Sequence, residues 1–224
     1  MRNFVHIGAL LAICLLATPF VRGQVVDLIV NNSCGSVCGG TPAPQGTLIG
    51  TITVTQTSSN TLTLTLQMAS GFSMKVQDGN DFNFQGLPGM TITGVGAKWD
   101  GGPSTYTAVN FGVSNGKNVS GFGTFGYNIT GIGTGQLGSI TSINSLQVTI
   151  TCSSTCTAAQ LISALNSDGA NFAIHFCDAS GTKCSQWTGF AANGSAQVVP
   201  EPSAIALLVC SAFVLGGFFR RRLL

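Results

Sequence analysis

Several groups of residues in this sequence have types and spacings that could do chemistry. Gly112-Val113-Ser114-Asn115-Gly116 has the G-x-S-x-G spacing of a hydrolase nucleophile turn, and Asp168 and His175 follow in the order such enzymes use. That turn works because it lifts the serine from a strand into a helix above a mainly parallel sheet. Here both flanks read as strands, and Ser114-Asn115-Gly116-Lys117 reads as an ordinary hairpin loop. Asp78-Gly79-Asn80-Asp81 carries oxygens that could ligate calcium, but it lacks the length and closing carboxylate of an EF-hand and reads as a hairpin turn. The G-x-G-x-x-G runs at 121–126 and 133–138 open no helix, so neither has the N–H cradle that phosphate needs. His175 shares a strand face with Ala173 and Cys177, opposite Phe172, Ile174 and Phe176, and reads as a surface or edge histidine. Between Gln24 and Val199 there is no Glu and no Arg, so paired carboxylates rest on scattered Asp residues. The sequence therefore assigns no catalytic residue, no cofactor and no metal.

The elements that would position these residues are strands. From Thr47 the chain alternates with period two: Ile52 and Val54 fall on one face, Thr51, Thr53 and Thr55 on the other. After the polar turn 57–60, Leu62, Leu64, Leu66 and Met68 point inward and Thr61, Thr63 and Thr65 outward, which predicts a hairpin with one buried face. Further strand-like runs cover 72–76, 82–85, 91–98, 106–113, 122–130, 146–152, 171–177 and 186–191. One helix is expected after Thr157, whose spacing to Gln160 forms a capping box, with Leu161, Ile162 and Leu165 as its apolar face. The fold class expected is all-β, an antiparallel two-sheet sandwich of jelly-roll type with one short helix.

Charge is sparse, at 7% of residues against roughly 25% in ordinary globular domains. All five arginines lie at the ends, and the stretch from Gln24 to Val199 holds four Lys and six Asp, which removes any footing for nucleic-acid binding. At the N-terminus a short basic start precedes an apolar run and small residues, predicting a signal peptide over 1–23 cut between Gly23 and Gln24. At the other end, Val199-Pro200-Glu201-Pro202-Ser203 precedes sixteen uncharged residues and then Arg220-Arg221-Arg222. Sixteen helical residues rise about 24 Å, short for a permanent span, and the arginines favour the cytoplasmic side.

This order of parts resembles the PEP-CTERM sorting tail of bacteria that build an extracellular matrix. The resemblance implies recognition of Pro200, Glu201 and Pro202 by an exosortase, with Arg220, Arg221 and Arg222 as the basic stop of a transmembrane sorting helix. It covers only the tail. The expected organisation is a signal peptide (1–23), a Cys-containing segment (24–45), a passenger domain (46–191), a linker (192–199) and the sorting tail (200–224). The partners expected are signal peptidase and the Sec machinery, the exosortase, the membrane and exopolysaccharide, with no nucleic acid.

Export bears on the cysteines. Outside the two terminal segments lie Cys34, Cys38, Cys152, Cys156, Cys177 and Cys184, an even set that an oxidising compartment would pair. Two C-x-x-x-C pairs could instead give zinc four thiolates, though no histidine accompanies either. A Cys177–Cys184 bridge is expected between facing residues of a hairpin, on its solvent side. Three functions stay open: a structural or adhesive surface protein, a glycan-binding module or hydrolase using Trp99, Tyr106, Tyr127 and Trp187, and an ice-binding protein using the Thr-x-Thr runs.

Overall fold

The computed structural model describes residues 22–31, 46–119, 121–178, 184 and 188–197. The leader, Cys34, Cys38, Trp187 and the whole 200–224 tail lie outside the described residues. Among the described residues no helix is long and apolar enough to cross a membrane.

The chain forms β1 (Arg22–Asn31), β2 (Gly50–Ser58), β3 (Thr61–Met68), β4 (Phe72–Lys75), β5 (Phe82–Phe84) and β6 (Met90–Lys98). Five shorter strands follow: β7 (Thr107–Ala108), β8 (Gly112–Ser114), β9 (Lys117–Val119), β10 (Gly123–Phe125) and β11 (Tyr127–Thr130). Then come β12 (Ser142–Ile143), β13 (Ser145–Cys152), the helix α1 (Ala158–Ser163), β14 (Phe172–Asp178) and β15 (Thr188–Gln197). Every pairing is antiparallel. Thirteen of these strands make one sheet, ordered β7-β6-β13-β3-β2-β1-β15-β14-β5-β11-β8, with β4 joining β12 to β14; β9 and β10 pair separately. A sheet this wide curls, because strand twist accumulates beyond about ten strands. Its two halves consequently share one core, in which Ile52, Leu64 and Val148 belong to the same cluster as Phe82, Phe172 and Phe176.

The β2–β3 hairpin follows its alternation. Ile52, Val54, Leu62, Leu64 and Leu66 are buried, while Thr51, Thr53, Thr55, Thr61, Thr63 and Thr65 remain half-buried on the outer face. Strands β4, β5, β6, β13 and β14 fall close to where periodicity puts them. The capping box also forms, Thr157 accepting from the Gln160 N–H and the Gln160 side chain accepting from the Thr157 N–H. Leu161 and Ile162 are buried, but the helix stops at Ser163, one turn short, so Leu165 is 52% exposed rather than part of an apolar face.

Other expectations need correction. The run 106–113 is not one strand: β7 lies on one edge of the sheet and β8 on the other, because the intervening chain crosses between them. The run 122–130 breaks at Gly126, where a Cβ would stand 2.9 Å from the Gln85 carbonyl oxygen; β10 leaves the main sheet there and β11 stays in it. Ser114-Asn115-Gly116 turns the chain without making a hairpin, since β8 pairs with β11 and β9 with β10. Most consequential, the passenger gains a strand at each end. The 24–45 segment opens with β1, whose Val26 and Leu28 are fully buried, and residues 192–197 of the stretch expected as a linker are the end of β15, paired with β1 and, through Ala192, with β14. Ala191-Ala192-Asn193-Gly194 has little strand propensity of its own, so the neighbours on either side specify it.

Candidate functional site

Strand β14 is buried on both faces, which places His175 in the interior instead of at a surface or edge. Its ring stacks on Phe190 of β15 at 4.6 Å. On its other side β14 meets both β4 and β5: Phe176 pairs with Met74, and Ile174 with Phe82. The two strands thus lie end to end along one neighbour, and residues 76–81 between them form a bulge opposite His175 rather than the expected hairpin turn. The His175 N–H donates to the Asp81 carbonyl across this gap, at 3.1 Å.

Charge concentrates in the bulge. Asp78 Oδ2 lies 2.9 Å from His175 Nδ1 and 3.1 Å from Lys75 Nζ, while Asp78 Oδ1 accepts from the Asn80 N–H. Burial pushes the Asp78 carboxyl up, but His175, the Asn80 N–H and Lys75 outweigh it and hold it well below the usual carboxylate range. Asp81 is fully buried and accepts from the Ile132 N–H at 2.8 Å and the Asp78 N–H at 3.0 Å. Burial, helped by the negative charge of Asp78, pushes the Asp81 carboxyl up to about 7 against those two donors.

The bulge is tied to its surroundings on every side. Gln77 sits at φ 67°, the left-handed region, and its amide donates to the Ile140 carbonyl at 2.6 Å. A non-glycine residue there costs on the order of 1–3 kcal/mol and needs such anchoring. Gly131 donates to the Asp78 carbonyl, and Asn128 to that of Gly79. Asn83 faces Asn128 across β5 and β11, and its own amide atoms have no hydrogen-bond partner in the protein.

These facts settle the candidate chemistries. Ser114 lies on exposed β8, where its hydroxyl accepts from Asn128; Asp168 is exposed in a turn; and the carboxylate beside His175 is Asp78. The hydrolase triad suggested by residue order is not brought together. The Asp78 and Asp81 oxygens are engaged by backbone N–H groups, Lys75 and His175, leaving no open cage for calcium. Among the described residues no group of three or more His, Cys, Asp or Glu could hold a metal ion.

Sequence reasoning missed this cluster because Asp78 and His175 are far apart in sequence. The one available signal was the density of aspartates between Lys75 and Asp81.

Cysteines 152 and 156 form a disulfide with Cα atoms 6.3 Å apart, which takes that pair out of any zinc site. Cys177 and Cys184 form another, at 5.5 Å. Its setting differs from expectation: Cys177 is fully buried and pairs in the ladder with Thr188, so Cys184 belongs to the connection before β15 and is not a facing strand residue. Non-reducing peptide mapping is expected to recover both linkages. Replacing Cys177 and Cys184 together by serine should cost about 2 kcal/mol, as a short loop closed by a disulfide implies.

Fold and site together define an antiparallel all-β domain with short-range disulfides, in which a buried His175 meets the part-exposed Asp78 and Lys75 where one strand is interrupted. Compared with known proteins, the chain matches no family model, and no curated protein or solved structure is significantly similar to it.

Proposed function

We propose that this is an exported cell-surface or extracellular-matrix protein, structural or adhesive, sorted by an exosortase-type system. In this reading the curled sheet folds over its own core as a jelly-roll-like sandwich, and the passenger carries out no catalysis. The observation that carries the reading is the pair of disulfides inside an all-β domain, which an oxidising compartment sustains. It agrees with an export signal before Gln24 and a Pro200-Glu201-Pro202 tail with its arginine cluster. The proposed cut after Gly23 would start the mature chain within β1 and remove only the Arg22–Gln56 and Gly23–Thr55 pairs from its ladder with β2. Intact-mass analysis of surface material from the native host tests the proposal. The expected mass starts at Gln24 and lacks the 204–224 segment; retention of Leu224 overturns the exosortase reading.

Of the other functions, ice binding draws more support than a glycan site. Tyr127 stacks on Phe84 and donates to the Met90 carbonyl, and Tyr106 carries Lys98 over its ring, so these aromatics are engaged within the protein. The Thr-x-Thr runs, by contrast, align across strands: Thr55, Thr63 and Thr149 form one row, and Thr61, Thr151 and Thr91 another. Thermal hysteresis of the purified protein is the test, and its absence removes this second reading.

A further inference from the structure

Among the described residues, Asn83 is the one fully buried amide with no hydrogen-bond partner at either end. Its neighbours on β5, Phe82 and Phe84, point into the main core, so Asn83 faces the opposite side of the sheet. There it stands in register with Ala173 of β14 on one side and Asn128 of β11 on the other. Ala173 packs with Val119, Phe122 and Phe125, so the β9–β10 unit roofs this part of the sheet. Asn83 therefore lies in a closed layer, with a methyl group to one side of it and an amide to the other.

The neighbouring amide has a fixed orientation. Asn128 Nδ2 donates to the Gly79 carbonyl at 3.0 Å and to the Ser114 hydroxyl at 3.1 Å. Ser114 belongs to β8, on the far side of β11 from β5. The Nδ2 end of Asn128 is thus turned away from Asn83, and the Oδ1 end, buried and unpartnered, is turned toward it. Rotating the Asn83 amide by half a turn would exchange its two ends and satisfy neither. A hydroxyl such as that of Ser73, also buried and unpartnered, can swing to a nearby carbonyl, but a planar amide has two ends to fill at once. One donor and two acceptors converge between β5 and β11 without bonding one another directly. Buried polar groups are almost always satisfied, and a site offering two to four polar partners is the kind that an internal water fills.

We propose that Asn83 and Asn128 bind one internal water beneath the β9–β10 unit. The water accepts from Asn83 Nδ2 and donates to Asn128 Oδ1, which leaves its second hydrogen for Asn83 Oδ1. Its place in the fold gives it a role. Strand β5 is three residues long and meets β11 through three residue pairs, so the joint that carries β11 and β8 has a short ladder. A bridging water adds a side-chain link to that ladder, nearly as good in enthalpy as a direct hydrogen bond.

The experiment uses water itself as the probe, by nuclear magnetic resonance on the full chain with its disulfides intact. In rotating-frame spectra the Asn83 side-chain amide protons should show cross-peaks to water with the sign of a dipolar contact, opposite to that of proton exchange. The Asn128 side-chain amide should show the same contact, and Asn83→Leu should lose it. Wild-type protein without dipolar water contacts at Asn83 overturns the proposal, as does an Asn128 contact that survives in Asn83→Leu. If that variant does not fold, a crystal structure of the wild type decides. One ordered water within hydrogen-bond distance of both side chains supports the site, and two amides bonded directly to each other overturn it.

Discussion

Truncating Phe172 to alanine is expected to lower the unfolding free energy by about 3–5 kcal/mol, the range for a buried aromatic removed from a core that cannot close around the gap. Phe172 is fully buried on β14, an inner strand. Its ring lies 6.3 Å from that of Phe82, which in turn lies 6.0 Å from Phe84. Ladders to β5 and β15 hold the backbone on both sides, so the cavity would persist. Urea unfolding should show the midpoint falling with the slope unchanged. Leu165→Ala is the contrasting variant. Helical spacing groups it with Leu161 and Ile162, but it is half exposed beyond the helix end, and its loss should stay within about 0.5 kcal/mol. A Phe172→Ala loss under about 1.5 kcal/mol would mean that the two halves of the sheet do not share a tightly packed core.

Replacing Asn193 by alanine should cost about 2–4 kcal/mol, because two buried backbone donors lose their acceptor at once. The Asn193 side-chain oxygen accepts from the N–H groups of Asn171 and Phe172, at 2.7 and 2.9 Å, and fastens the start of β14. Asn171 in turn donates to the Ile162 carbonyl, which ties the start of β14 to α1 as well. Exchange protection of the Asn171 and Phe172 amides should drop along with stability. If Asn193→Ala is silent, residues 192–199 behave as the linker their composition suggests, and the role of β15 in the domain is refuted.

Asn193 also marks where reading the sequence stops working. Small and polar residues carry no alternation, so 191–197 shows no strand signal, and only β1 and β14 on its two sides make it one. Strand β1 does alternate, with Val26 and Leu28 inward, but it follows directly on the expected cleavage site and falls in the segment marked only by its cysteines. The short strands from β7 to β11 failed for another reason. Glycines such as Gly126 let the chain change sheets in mid-run, and a window of sequence cannot say which partner a two- or three-residue strand will find.

The sequence by itself determined what depends on near neighbours. Period-two alternation set the faces of β2 and β3, since side chains on a pleated strand alternate whatever they pair with. The Thr157–Gln160 spacing set the start of α1, and the short separation of Cys177 and Cys184 made their bridge foreseeable. Tertiary structure alone decided what depends on distant partners. Placing β4 and β5 end to end along β14 opened the bulge, buried His175 and drew it to Asp78. Elsewhere in the sheet, the registers of β3 with β2 and of β13 with β3 and β6 aligned threonines from separate runs into rows. Hydrogen-bonded pairing is blind to side-chain type at long range, so the order of strands in the sheet, and with it the company each side chain keeps, comes from closing the whole core at once.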